Sequence, residues 1–197
     1  MQLASPDRGP HALNRHPFGN ALEPTLVYRT VILLLEDRPM AADSDSINRA
    51  LLRNQLEEIV IDFAYRVDRG DAESAADLFT PDGEYIWEGH GHSVGRDAIR
   101  LTYRNRALLG PRTARHLFTN LRLQEVMQQR ALTTAIMLLF AENGTPPQAA
   151  IPLLVADVDD EFVLHEGRWL LKVRRLKDIF VDSERTPVLP LSGPLSP

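Results

Sequence analysis

Residues 113–141 read TARHLFTNLRLQEVMQQRALTTAIMLLFA. The runs 113–127 and 130–141 are rich in β-branched, aromatic and aliphatic residues, and only Gln128-Gln129 separates them, which predicts two strands of an antiparallel sheet. Downstream the pattern continues over 149–165 and 168–181, punctuated by Asn143-Gly144-Thr145-Pro146-Pro147 and by Glu166-Gly167. The strand 131–141 is apolar on both faces, with Leu132, Ile136, Leu138 and Phe140 against Ala135, Met137 and Leu139. An antiparallel sheet usually keeps one face wet. Helices can cover one face, and a second copy of the sheet is the expected cover for the other, so a homo-oligomer, dimer or trimer, is expected.

Upstream the period changes. Leu52, Leu56, Ile59, Val60, Phe63 and Val67 recur at three- and four-residue steps, predicting a helix capped by Ser44 or Asp45, running to about Asp68 and stopped by Gly70. Asp71 is expected to cap a second, short helix over 72–79. Thr80-Pro81-Asp82-Gly83 has turn chemistry, 84–88 reads as a strand, Gly89-His90-Gly91-His92 as a loop, and Gly95-Arg96-Asp97 opens a third helix to about Leu109, ended by Gly110-Pro111. Helices followed by a run of strands define an α+β domain, three N-terminal helices packed on a curved, mostly antiparallel sheet.

The expected boundaries are 1–42, 43–184 and 185–197. Five prolines between residues 1 and 39, and no sustained periodicity, describe an extension unable to bury a core of its own. Met40 leads directly into helix-forming sequence, so translation is expected to start there. Four prolines fill the tail 185–197. The whole chain has 197 residues and a net charge of −5, with 22 basic against 27 acidic side chains, so nucleic acid is not an expected partner. No cysteine is present, which excludes thiol nucleophiles and disulfides and leaves the cytoplasm as the expected compartment. The apolar run 31–35 is far short of the roughly 20 residues of a membrane span, so no membrane partner is expected.

Few residues could support chemistry. A carboxylate at the end of a helix, as at Asp68, opposes the helix dipole by a few tenths to about 1 kcal/mol; a frayed end solvated beside Arg66 and Arg69 is the commoner account of such an aspartate. His116 shares a strand face, by alternation, with Phe118, Asn120 and Arg122, opposite Leu117, Leu121 and Leu123. A lone strand histidine is commonly structural, but a histidine held by Asp68 would be a general base near neutral pH. Tyr65, one turn before Asp68, could donate to it. Tyr85 and Trp87 share a strand face and could floor an apolar pocket. His90 and His92 lack a third ligand of defined position, so no metal site is expected. No dinucleotide fingerprint, phosphate loop or nucleophile elbow occurs.

The segments 63–71, 78–83, 87–89, Gly95, His116-Leu117-Phe118-Thr119-Asn120-Leu121-Arg122-Leu123 and Gly167-Arg168-Trp169, in that order across about 44–182, resemble SnoaL-like members of the nuclear transport factor 2 superfamily. Within it they look closest to the branch with scytalone dehydratase and hexachlorocyclohexane dehydrochlorinase. The resemblance implies a cone-shaped α+β barrel with a small, mostly apolar pocket and no metal or organic cofactor. It implies a proton-abstracting dyad, Asp68 and His116, with Arg174 stabilising developing negative charge. Phe63 stands where the dehydrochlorinase has a lysine, and no histidine lies near Phe140 and Ala141 to match the second histidine of scytalone dehydratase.

A cofactor-independent lyase of dehydratase type, or a double-bond isomerase, is therefore expected to act on a small cyclic or aromatic hydroxylated substrate. Phe63, Tyr65, Tyr85, Trp87, Phe118 and Asn120 are its expected contacts, holding it by stacking more than by charge. The alternative is a non-catalytic protein of the same fold that binds a small apolar ligand or serves as a scaffold.

Overall fold

The computed structural model describes residues 44–182 together with Glu184 and Arg185. The expected extension over 1–42, the start at Met40 and the tail beyond Arg185 lie outside the described residues.

Helix α1 spans Ser44–Asp68 and buries Leu56, Val60, Phe63 and Ala64, part of the stripe its periodicity predicts. Its end is fixed by Gly70, at φ +94°. That left-handed turn lets the Asp71 N–H reach back to the Arg66 carbonyl at 3.1 Å, the closing bond of a Schellman motif, which glycine enters without a Cβ penalty. Asp68 is thereby held in the last turn. The second expected helix, Ala72–Leu78, is wound as a 3-10 segment that buries Ala75, Ala76 and Leu78. Asp71 does not cap it with its side chain; the Asp71 carbonyl instead accepts the N–H of Ser74 at 3.0 Å and its hydroxyl at 2.8 Å.

Strand β1 runs Phe79–Trp87, so the expected turn at Thr80-Pro81-Asp82-Gly83 lies inside a strand. The segment is accommodated as an irregularity: pairing with the last strand jumps from Phe79↔Leu171 to Glu84↔Val173. Gly83 is required for close approach, because a Cβ there would lie 2.9 Å from the Cβ of Phe79 and 3.1 Å from the Thr80 carbonyl. Half of the expected loop 89–92 is also strand, since β2 spans Gly91–Val94 and pairs Gly91 with Trp87 and His92 with Ile86. Helix α2, Arg96–Ala107, buries Ile99, Thr102, Tyr103 and Arg106 along one stripe.

Strands β3 (Arg112–Met127), β4 (Arg130–Asn143), β5 (Leu154–His165) and β6 (Arg168–Val181) follow. The third begins five residues later than expected, with 149–153 outside the ladder. The sheet order is β2-β1-β6-β5-β4-β3, with β2 and β3 at its edges. Every neighbour is antiparallel except the β1–β6 pair. Helix α1 packs on β3 and the 3-10 segment, and α2 on that segment and β1, closing the open side of the curved sheet.

The core lies between these layers, around Phe63, Phe79, Ile99, Val158, Phe162 and Leu171, all at most 2% exposed; each such side chain contributes roughly 1.5–3 kcal/mol. Along β4 the alternation is strict: Ala131, Thr133, Ala135, Met137, Leu139 and Ala141 are buried, and Leu132, Ile136, Leu138 and Phe140 are half-buried on the convex face.

Alternation breaks in β3 downstream of His116. Asn120 takes φ +55°, and the pairing with β4 shifts between Thr119 and Arg122. One extra residue reverses the phase from Leu121 until a second shift between Leu123 and Glu125. Ala114, His116 and Phe118 are therefore continued on the inner face by Leu121 and Leu123, both buried, whereas Asn120 and Arg122 are exposed. The grouping of His116 with Asn120 and Arg122 that simple alternation predicts does not occur.

Candidate active site

A cavity of about 810 Å³ opens between the C-terminal end of α1, helix α2 and the concave sheet, within the range of small-molecule sites. The Schellman stop places Asp68 at its wall, and the inward phase of β3 places His116 opposite. His116 Nδ1 lies 2.7 Å from Asp68 Oδ1, and the His116 backbone N–H donates to Asp68 Oδ2 at 2.8 Å. The His116 side chain is 15% and the Asp68 side chain 6% exposed. With the carboxylate accepting from Nδ1, the imidazole is fixed in the tautomer whose Nε2 carries a lone pair. Nε2 has no protein partner among the described residues, and His116 lines the cavity. The arrangement is that of an oriented general base.

Around it the lining is aromatic and aliphatic: Tyr85, Trp87 and Tyr103, with Met137, Leu139 and Leu176. Burial pushes the Tyr85 hydroxyl up to about 12, and that of Tyr103 well above 10. Both are proton donors at neutral pH. Trp87 is anchored by its indole N–H, which donates to Asp178 Oδ1 at 2.8 Å; the same carboxylate meets His90 Nε2 at 3.0 Å. His92 pairs with Glu84 at 2.9 Å, so the two loop histidines go to different carboxylates.

The other expected site residues are placed unequally. Phe63 is 2% exposed and stacks on Tyr85, centroids 6.2 Å apart, so it backs the cavity wall. Phe118 is half-buried and meets Phe63 edge-on at 6.5 Å. Tyr65 is 59% exposed on α1, under the Arg69 guanidinium, and Asn120 is exposed at the bulge; neither lines the cavity.

Arg174 is entirely buried and does not line the cavity either. It makes a bidentate pair with Asp160, 2.8 and 2.7 Å, and its Cζ lies 4.3 Å from the Phe63 centroid and 5.0 Å from that of Phe118. Its third nitrogen, Nη1, is buried without a partner among the described residues. Burial works against its charge, but Asp160 holds its pKa above the ordinary arginine value. Arg174 is also the register partner of Tyr85 on β1, and its charge pulls the Tyr85 pKa down against the effect of burial.

Sequence reasoning missed Asp160, Tyr103, Arg106 and Arg112. A signal existed for Asp160, which falls in phase with the inward residues Val158 and Phe162 of β5; an inward carboxylate implies a buried cation. Arg106 likewise continues the buried stripe Ile99, Thr102, Tyr103.

The family model of the SnoaL-like domain matches residues 48–175, and the chain belongs to that family. No curated protein matches it. Among solved structures it is similar to a candidate scytalone dehydratase from Novosphingobium aromaticivorans, with 21% identity and a TM-score of 0.62 over 74% of this chain and 96% of the other. A protein from Catenulispora acidiphila shares 25% identity, TM-score 0.60, over 66% and 94%. A nuclear transport factor 2-like protein with a cystatin-like fold from N. aromaticivorans shares 20%, TM-score 0.57, over 73% and 95%. The chain thus shares the fold of these proteins. Among the described residues no helix is long and apolar enough to cross a membrane.

Proposed function

We propose that the protein is a cofactor-independent lyase of dehydratase type acting on a small cyclic or aromatic hydroxylated substrate, with double-bond isomerisation as the same chemistry ended differently. The observation that supports it is the Asp68–His116 contact at 2.7 Å on the wall of an aromatic cavity. His116 Nε2 takes a proton from a carbon next to a carbonyl, and Asp68 stabilises the imidazolium that forms. The C–H electron pair becomes the new C=C bond, the β C–O bond breaks, and hydroxide leaves as water after taking up the proton. In the isomerase variant the proton returns to a different carbon. Negative charge developing on the carbonyl oxygen meets the Tyr85 or Tyr103 hydroxyl. Arg174, buried behind them, acts as a positioning residue whose charge strengthens Tyr85 as a donor.

The experiment is a set of cyclic β-hydroxy ketones incubated in D₂O and followed by mass and NMR. Deuterium exchange at the α-carbon and loss of water, both absent with His116→Ala of unchanged fold, are expected. Exchange that persists in His116→Ala overturns the mechanism.

We also propose that a second copy covers the convex face. Leu117, 47% exposed, pairs with Leu138, which pairs with Val155, giving a continuous apolar row across three strands.

A further inference from the structure

Among the described residues, Arg106 is a cation without a counter-ion. It is 8% exposed, yet its hydrogen bonds go only to neutral oxygens: Nη2 donates to Asn143 Oδ1 at 2.9 Å and Nη1 to the Gly110 carbonyl at 3.4 Å. Its Nε is buried with no acceptor. Buried charges are normally paired, because desolvation is otherwise uncompensated; here burial alone acts on Arg106 and lowers its pKa. The same side chain lines the cavity that holds His116.

Arg112 lines it too. It opens β3 opposite Asn143, the residue that Arg106 grips. Burial and the charge of Arg106 bring Arg112 down to about 10, still well on the cationic side of neutrality. Among the described residues, no carboxylate on this lining pairs with Arg106. Asp68 is taken by His116, and Glu73 by Arg104 at 2.8 Å; Asp71 remains, within the field of Arg66. Arg112 is attracted by Glu142, itself shared with Arg185 at 3.4 Å, and by Asp68, so the uncompensated charge is that of Arg106.

Taking this cavity as the substrate site proposed above, we infer that its substrate is an anion, a ring compound whose carboxylate is seated against Arg106 and Arg112 while the ring lies against Tyr85, Trp87 and Tyr103. A planar carboxylate matches the guanidinium fork, and binding it would supply the counter-charge Arg106 lacks. Charge therefore contributes to recognition more than the apolar motifs of the sequence imply.

The test uses 1-naphthoate and its neutral isostere 1-naphthamide, titrated calorimetrically into the full chain at pH 7. Naphthoate is expected to bind at least about tenfold tighter, and more weakly as salt rises. Arg106→Met and Arg112→Met, which keep volume, are expected to abolish the preference, with folding checked by circular dichroism; Arg106→Lys restores part of it. His116→Ala keeps the preference, so failure of the acid–base chemistry and failure of the anion site are read separately. Equal or tighter binding of the amide, absence of naphthoate binding to folded protein, or a preference that survives loss of both arginines overturns the inference.

Discussion

Asp68 and His116 are joined twice: one carboxylate accepts both the backbone N–H and the Nδ1–H of a residue 48 positions away in sequence. The double attachment fixes the strand and the ring together, so the last turn of α1, the inner face of β3 and the imidazole form one unit. Asp68→Asn keeps an acceptor for the backbone N–H but removes the charge that stabilises the imidazolium. A fall in kcat of about 10²–10⁴-fold is expected for it and for His116→Ala, with little change in melting temperature for His116→Ala.

The Arg174–Asp160 pair is expected to be a stability determinant. Asp160→Asn strands a fully buried guanidinium and should destabilise the fold by about 3–5 kcal/mol in denaturant unfolding. Arg174→Met with Asp160→Leu, which removes both charges, should recover most of that. A single variant as stable as wild type would refute this account of the core.

Gly70 sets where α1 stops. Gly70→Ala forces a Cβ into the left-handed region at about 1–2 kcal/mol, in open space where nothing clashes. Expected is a modest loss of stability with a larger proportional loss of turnover, because the residue that moves with the stop is Asp68.

Alkaline pH should weaken the fold through its buried tyrosines. An unfolded chain ionises tyrosine near 10, whereas Tyr85 holds its proton to about 12 and Tyr103 well above 10. The unfolded state thus releases protons that the folded state retains. Their contribution is fully present below pH 10 and is lost as pH rises toward 12. Tyr85→Phe is expected to move the alkaline loss of circular dichroism signal upward, and no movement would count against burial of the hydroxyl.

Leu138→Lys, placed in the apolar row of the convex face, should leave the monomer fold intact and shift sedimentation to the monomer. An unchanged wild-type-like assembly would locate the interface elsewhere.

Local features were legible in the sequence, and those set by distant chain were not. The stripe of α1, its stop at Gly70 and the β3–β4 pair follow from periodicity and turn chemistry within a few residues. Thr80-Pro81-Asp82-Gly83 has the same turn chemistry, but pairing with β6 draws it into a strand. At Asn120 the polar–apolar pattern itself stumbles, with Leu117-Phe118 followed by Thr119-Asn120, a local sign of the extra residue that simple alternation passes over. The Asp68–His116 contact spans too much chain for spacing to reveal and was accessible only through family resemblance. Arg106 was legible, as a charge on an otherwise buried helical stripe.

The bulge at Asn120 separates two stretches of β3 with independent phase, one presenting Ala114, His116 and Phe118 to the interior and the next Leu121 and Leu123. Changes that re-aim residues around His116 need not be propagated into the packing under α1, where Arg49 and Arg53 hold the carbonyls of Leu123 and Leu121. The strand behaves as two modules on one backbone, and relatives sharing this break could diversify the wall of the cavity while inheriting the remainder of the strand unaltered.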